Sequence, residues 1–169
     1  MDVRYINPFI TSCRQVFDTM VHVRIKLGKP YLRTHGGTQF MVSAVLGLGG
    51  AVTGCVVLRF SAGVAMGLAS GLAKSPIVAL DDDCVDALGE IANMVAGSAK
   101  KELPGGLTTL SVPSVVLGDH RINYPSGTPI IIIPCETELG EFIIEVALAP
   151  KTADDGLPGA PLPQAAAAG

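Results

Sequence analysis

The residues of this chain whose types and spacing best fit a functional site are Asp86, Glu90, Asn93 and Gly97. At about 100° per residue, these four positions lie within roughly 60° of one another on a helix. The spacing therefore places the carboxylate of Glu90 and the carboxamide of Asn93 side by side, one turn apart. A carboxylate pairs with cations, and a carboxamide both donates and accepts hydrogen bonds. We interpret Glu90 and Asn93 as the candidate site.

Three features distinguish this pair from ordinary exposed polar residues. Asparagine is a mediocre helix former with little local reason to lie in the middle of a helix. Gly89 and Gly97 flank the pair and remove side-chain bulk, at a helix cost of about 1 kcal/mol each relative to alanine. Asn93 is also the only asparagine in the sequence that follows a glutamate by three residues. Such a surface would let the backbone of another protein approach closely.

The helix that carries these residues is predicted for 81–103. The acidic residues 81–83 precede the apolar pattern, where carboxylate oxygens can cap free N–H groups and complement the positive end of the helix dipole. Lys100 and Lys101 lie in the last turn, and Pro104 follows it. On the side opposite the candidate site, the predicted buried stripe consists of Val85, Leu88, Ala92, Val95 and Ala99.

Two further helices are predicted on either side of a hairpin. Asn7 is predicted to cap a helix over 8–22, and Ser61 is predicted to cap a helix over 62–73. The first of these helices has a predicted inner face made of Phe9, Val16, Phe17 and Met20. The hairpin is predicted to pair 40–48 with 51–60, with Gly49 and Gly50 as its two-residue turn.

The remaining segments predict strands, which makes the fold class α+β. The segment 23–33 is predicted to form a strand that ends near Gly28 or Pro30, followed by a turn at 35–37. Strands are also predicted at 107–117, 128–134 and 140–148. Because the connections are of the hairpin type, without regular βα alternation, we expect a mainly antiparallel sheet with helices packed on it. Residues 1–149 form one predicted domain, and 150–169 form a Pro- and Ala-rich tail that we predict to be disordered.

The composition excludes several classes of protein. The 169 residues suffice for one domain with a core, and 16% charged residues with a mean hydropathy of +0.47 exclude a disordered chain. The net charge of −3 gives no reason to expect nucleic acid as a partner. The four cysteines form no CxxC, and the three histidines lack ligand spacing, so we expect thiols and no metal site. The first residues do not resemble a signal peptide, which favours a cytoplasmic protein.

Membrane insertion is an alternative for one part of the chain. Arg59 is the only formal charge between Arg33 and Lys74, and a hydrophobic run of that length can indicate membrane spans. The run is nevertheless rich in glycine, alanine and serine, and Gly49-Gly50 interrupts its first half. This favours two strands and an internal helix, with no membrane insertion.

The residues around the candidate site carry a resemblance to a known family. Asp86-x3-Glu90-x2-Asn93, within the stretch DALGEIANMVAGSAKK, resembles the ExxN helix of CheX-type chemotaxis phosphatases in the CheC/CheX/FliY family. Three other blocks resemble CheX sequences in the same order: MDVRYINPFITS, LGLGGAVTGCVVLRF and TPIIIIPCETELGEFIIEVAL. The resemblance covers residues 1–148, and the fold that it implies is CheC-like.

The resemblance implies that the chain hydrolyses the aspartyl phosphate of a CheY-like response regulator in chemotaxis or motility signalling. Glu90 would pair with the lysine beside the regulator's phosphorylation site, and Asn93 would hold the attacking water in line. A neutral amide suffices because phosphoryl transfer depends mainly on positioning, whereas a second carboxylate at Asn93 would repel the phosphate. The regulator would supply the phosphorylated aspartate and Mg²⁺, so the chain would need no cofactor of its own.

The resemblance also bears on partner contacts. We interpret Gly97 as clearance for the partner. Asp86 is included as a partner-binding residue, although simple solvation of its carboxylate is the favoured interpretation. CheX proteins that resemble this chain are homodimers, so we expect a homodimer.

Two other functions stay open at this point. The stretch IVALDDDCV fits the hhhhDxDx[TV] signature of haloacid-dehalogenase phosphatases, with Asp81 as nucleophile and Asp83 as acid/base. Those enzymes need a strand before the motif. The stronger alternative is a module without catalysis, because the family's fold also serves in flagellar switch proteins, and such a chain would only bind a regulator or a receptor complex. The retention of both Glu90 and Asn93 favours catalysis.

Overall fold

A computed structural model describes residues 2–34, 40–124 and 127–150. The helices are α1 (Asn7–Val16), α2 (Ala62–Ala73) and α3 (Asp82–Ala99). The strands are β1 (Ile25–Leu27), β2 (Tyr31–Leu32), β3 (Val42–Gly50), β4 (Val52–Phe60), β5 (Thr108–Leu110), β6 (Ser114–Leu117), β7 (Ile131–Thr137) and β8 (Gly140–Pro150). The turn predicted at 35–37 and the predicted tail from residue 151 onward lie outside the described residues.

The described strands form one antiparallel sheet. Its order is β1–β7–β8–β4–β3–β5, with β2 also paired to β7 and β6 also paired to β3. The hairpins β3–β4 and β7–β8 supply its centre. The predicted α+β class with a mainly antiparallel sheet is confirmed.

The core lies between one face of the sheet and the three helices. Because side chains alternate along a strand, every second residue of β3, β4 and β8 faces the helices. On that face the ring of Phe142 lies 5.2 Å from the rings of both Phe17 and Phe60, measured between centroids. The strand residues that are buried there include Val42, Ala44, Leu46, Leu58, Ile144 and Val146. Among the described residues, all four cysteines are free thiols, as predicted.

The β3–β4 hairpin forms, but its predicted two-residue turn is wrong. Gly49 and Gly50 remain in β3, where they pair with Thr109 and Thr108 of β5. The turn is centred on Ala51, whose N–H donates to the carbonyl of Leu107 at 3.0 Å. Glycine is still required at position 50, where φ is +100°. The prediction failed because it did not include the pairing of β3 with β5, which extends β3 through Gly49 and Gly50.

The predicted details of the first helix need two corrections. Ile6 stands at the N-cap, so Asn7 is the first helical residue and not the cap. The second half of the predicted helix is a wider π-helical turn, Phe17–Val21, which ends at His22 with φ +59°. A π turn changes the angle between successive side chains. Met20 is therefore 46% exposed, whereas the other three predicted inner residues are buried.

The opposite face of the sheet carries a buried polar cluster, which we call the Glu145 cluster: Glu145, Arg59, Arg33 and Tyr124. Glu145 is 1% exposed, and its Oε1 lies 3.3 Å from a guanidinium nitrogen of Arg33 and 3.7 Å from one of Arg59. The hydroxyl of Tyr124 donates to the other carboxylate oxygen. Burial and the neighbouring carboxylate raise the pKa of Tyr124, so this hydroxyl stays protonated and remains a donor.

The Glu145 cluster explains how the apolar run of residues 33–74 accommodates its single internal charge. Arg59 is buried, and Glu145 compensates its charge from the neighbouring strand β8. The run itself forms the hairpin β3–β4 and helix α2, in agreement with the prediction of strands and an internal helix. Within the ranges that the structure describes, no helix is long and apolar enough to cross a membrane.

Candidate functional site

The acidic residues before α3 cap the helix. The backbone at Asp81 is extended, and its Oδ1 accepts a hydrogen bond from the N–H of Cys84 at 3.1 Å. Asp82 and Asp83 follow in the first turn, where negative charge complements the helix dipole. Residues 77–80, all of which are described, form no strand before Asp81. The strand that a haloacid-dehalogenase motif requires is therefore missing, and capping accounts for these aspartates.

Two substitutions at Asp81 separate capping from catalysis. Asp81→Asn should change neither activity nor stability measurably, because asparagine caps a helix about as well as aspartate. Asp81→Ala should lower the free energy of unfolding by about 1 kcal/mol, because the N–H of Cys84 loses its acceptor. Urea unfolding followed by circular dichroism measures the second effect. Loss of phosphatase activity in Asp81→Asn would instead identify Asp81 as a nucleophile.

Packing fixes the orientation of α3. The helix contacts α1, α2 and strands β3 and β6. Most of the predicted stripe is fully buried, and Val85 alone among the five predicted residues is only half-buried. The buried residues of this helix are Cys84, Leu88, Gly89, Ile91, Ala92, Val95, Ala96 and Ala99. With this face held in the core, the opposite face of α3 must point outward.

The outward face presents the predicted site residues together. Asp86, Glu90 and Asn93 are exposed, and residues three apart on a helix have Cβ atoms about 5–6 Å apart. None of the three side chains makes a hydrogen bond or an ion pair with the part of the chain that the structure describes. The acid and the amide are thus both available to a partner molecule.

Gly97 lies beyond this pair on the same face. A Cβ atom placed there would have no atom of the described residues within 4 Å, apart from its own helix backbone and chain neighbours. The space over Gly97 is open within the described residues, and a partner that approaches the helix closely needs such space. The role of Gly97 in contacting a partner stays a prediction.

The predicted role of Gly89 is wrong. Gly89 is buried, and a Cβ atom at this position would lie 3.5 Å from Cγ of Pro113 and 3.9 Å from Cγ2 of Val115. Gly89 is therefore covered by the segment around Pro113, with which a Cβ atom would make ordinary van der Waals contact. It does not provide clearance for another protein.

The segment that packs against Gly89 was not identified from the sequence. We predicted one strand over 107–117, but the structure divides it into β5 and β6, which both pair with β3. The proline at 113 was the available signal, because proline in a sheet is confined to edges and bulges. This break brings residues 111–113 beside the helix that carries the candidate site.

Comparison with known families identifies the protein class. Residues 42–136 match the family model described as "Chemotaxis phosphatase CheX". The chain belongs to the CheX family. The matched residues are more than half of the chain and include all of α3, so Glu90 and Asn93 lie within them.

Relatives within and around this family extend the similarity. The CheY-P phosphatase CheX of Thermotoga maritima is 29% identical over 121 residues, which are 70% of this chain and 78% of that protein. CheX from Desulfovibrio desulfuricans has a solved structure with 31% identity and a TM-score of 0.78, covering 87% of this chain and 99% of that one. The CheX-CheY-BeF3-Mg+2 complex from Borrelia burgdorferi gives 27% identity, a TM-score of 0.74 and coverage of 85% and 97%. The CheX fold therefore extends beyond the matched residues.

Proposed function

We propose that this CheX-family chain dephosphorylates a CheY-like response regulator, and that Glu90 and Asn93 carry out its part of the reaction. The observation that carries the proposal is an exposed acid and amide one turn apart on α3, neither of which is paired with any residue that the structure describes. Family membership and the names of two relatives support it. The Thermotoga maritima relative is a CheY-P phosphatase, and the Borrelia burgdorferi structure is a complex of CheX with CheY.

Asn93 is the proposed positioning group for the nucleophile. Its carboxamide oxygen accepts a hydrogen bond from a water molecule, and this orients the water toward the phosphorus atom. The water oxygen forms a bond to phosphorus while the bond between phosphorus and the regulator's aspartyl oxygen breaks. The products are inorganic phosphate and the free aspartate of the regulator. An amide performs this task without repelling the anionic phosphoryl group.

Glu90 is the proposed docking group. Its carboxylate pairs with the lysine beside the regulator's phosphorylation site, which fixes the position of α3 over the acyl phosphate. Because an intermolecular reaction requires accurate placement of the water, this anchor raises the effective concentration of the attacking group. Glu90 itself exchanges no proton in this proposal.

Mg²⁺ is proposed to be bound by the regulator. Glu90 offers one carboxylate at the site, and Asp86 lies one turn away on the same helix. Across the described residues, no group of three or more histidine, cysteine, aspartate or glutamate side chains is placed to hold a metal ion. A homodimer is also part of this proposal, because it is implied by the resemblance to CheX proteins. A cytoplasmic location is proposed with it, in keeping with the four free thiols of the described residues.

Phosphate release from a purified regulator tests the proposed function. CheY-like regulators are phosphorylated with a small-molecule donor, the donor is removed, and loss of the acyl phosphate is followed with and without this chain. The expected result is faster decay of at least one regulator in proportion to the amount of chain. Binding of a phosphorylated regulator without faster decay would favour the alternative, a module without catalysis.

Replacing Glu90 with alanine should weaken regulator binding by about 10- to 100-fold. A hydrogen bond to a charged group contributes about 1.5–3 kcal/mol, and this variant removes the carboxylate that would accept it. Titration of the chain into a regulator loaded with Mg²⁺ and beryllofluoride measures the affinity. Glu102→Ala is the matched control, because Glu102 is also exposed but lies after the end of α3. Equal affinity of the two variants would remove Glu90 from the site.

A further inference from the structure

The edge strand beside α3 contains a bulge. Leu110 of β5 pairs with Leu48 of β3, whereas Ser114 of β6 pairs with Val45. Two residues of β3 therefore oppose three residues, 111–113, on the edge strand. Such a bulge with one extra residue bends a strand and redirects a side chain, and bulges are common beside functional sites. We call residues 111–113 the edge bulge.

The edge bulge is held firmly by hydrogen bonds to β3. The N–H of Ser111 donates to the carbonyl of Gly47 at 2.9 Å, and the N–H of Gly47 donates to Oγ of Ser111 at 2.9 Å. Oγ of Ser111 in turn donates to the carbonyl of Val112 at 2.8 Å. Pro113 then restricts Val112 to extended conformations and packs against Gly89 of α3.

The side chain at the tip of the edge bulge is apolar and exposed. Val112 is 83% exposed, although its backbone is fixed on both sides. A bulge can protect a sheet edge from pairing with other chains. That protection does not require an apolar side chain at the tip of the bulge. A rigid and exposed valine is suited to contact with another protein, because little conformational entropy is lost when it is covered.

The position of Val112 connects it with the proposed site. Its neighbour Pro113 contacts Gly89, which immediately precedes Glu90 and lies one turn before Asn93. A standard protein interface buries about 800 Å² on each partner, so a circular patch centred on Asn93 would extend about 16 Å in every direction. A regulator that places its acyl phosphate at Asn93 therefore covers surface beyond α3, and the edge bulge lies directly beside α3 at Gly89.

We infer that Val112 is a second docking point, which contacts an apolar surface of the response regulator next to its phosphorylation pocket. This inference rests on the proposed function and adds a contact from a different element of the fold. Glu90 supplies a polar anchor on the helix, and Val112 supplies an apolar anchor on the sheet edge. Two anchors on separate rigid elements fix the orientation of the regulator and exclude water from the rim of the site.

Binding and catalysis measured on the same variants test the inference. We expect Val112→Asp and Val112→Lys each to raise the dissociation constant for a regulator loaded with Mg²⁺ and beryllofluoride by about 10-fold or more. The decay rate at subsaturating chain should fall by the same factor, because fewer regulator molecules are bound at a given amount of chain. Leu32→Asp is the matched control: Leu32 is 56% exposed on β2, five strand spacings away and hence about 24 Å from the edge bulge.

The outcomes separate this inference from the proposed function. The inference is overturned if Val112→Asp binds like Leu32→Asp, or if the aspartate and lysine variants change affinity in opposite directions. The latter result would indicate a purely electrostatic effect. Failure of the unsubstituted chain to bind any loaded regulator would overturn both. Normal binding and decay by Val112→Asp, with loss of decay in Asn93→Ala, would overturn only the docking role of Val112. Matching unfolding midpoints confirm that all variants are folded.

Discussion

Replacing Asn93 with alanine should slow the decay of the phosphorylated regulator, at saturating chain, by about 10²- to 10³-fold. This corresponds to about 3–4 kcal/mol of transition-state stabilisation, the amount typically lost when one preorganised hydrogen-bonding group is removed from an active site. The attacking water would lose the carboxamide that orients it. Because Asn93 is exposed and makes no hydrogen bond within the described chain, the free energy of unfolding should change by only about 0.5 kcal/mol.

Matched variants show whether the slower decay is specific to the carboxamide of Asn93. Asn93→Asp keeps the shape of the side chain but places a carboxylate against the phosphoryl group, so it should also be inactive. Asn123→Ala is the control, since Asn123 is exposed and lies outside α3. Affinity for the regulator loaded with beryllofluoride should remain close to normal in Asn93→Ala. Unchanged decay in this variant, with binding intact, would show that the chain acts without catalysis by Asn93.

The largest effect on stability is expected from Glu145→Ala, which should lower the free energy of unfolding by about 3–5 kcal/mol. Removing one partner of a buried ion pair leaves an uncompensated charge in a poorly solvated place. Here the carboxylate compensates Arg59, which is only 5% exposed, and it accepts the hydrogen bond from Tyr124. Arg33 is less affected, because its side chain is 27% exposed and can turn toward water. Urea unfolding followed by circular dichroism measures the loss.

A double-mutant cycle tests whether the charge pair is the cause. Arg59→Met combined with Glu145→Met removes both charges at similar volume. This double variant should be much more stable than the single variant Glu145→Met, and Arg59→Met completes the cycle. Because the Glu145 cluster lies on the face of the sheet opposite the helices, phosphatase activity per folded molecule should not change. A loss below about 1 kcal/mol in Glu145→Ala would mean that Arg59 reaches solvent without its partner.

Sequence periodicity predicted the secondary structure well where each element depends on its own residues. The α3 prediction was accurate because Asp81 caps the helix locally and the apolar stripe has the period of a helix. The hairpin β3–β4 and the strands β7 and β8 were also predicted, since short segments rich in valine, isoleucine and leucine and bounded by turn residues favour strands. The α1 prediction erred where a π turn, whose spacing leaves no clear signature in the sequence, exposes Met20.

Contacts between residues that are far apart in the sequence were harder to predict. Arg59 was the lone charge of its strand, and Glu145 stood among apolar residues in the middle of another, where a buried charge requires a partner. That signal could have suggested the pair. Their contact nevertheless depends on β4 lying next to β8, and the order of strands in a sheet is not encoded by the periodicity of any one of them.

The sequence by itself determined that Glu90 and Asn93 share one exposed face of a well-capped helix, because residues three apart on a helix are neighbours wherever that helix lies. The tertiary structure alone decided what surrounds them. It placed Pro113 against Gly89 and fixed Val112 beside the site, since an unpredicted bulge shifts the edge strand by one residue relative to β3. Local spacing sets the direction of a side chain, whereas the register between strands sets which distant residue becomes its neighbour.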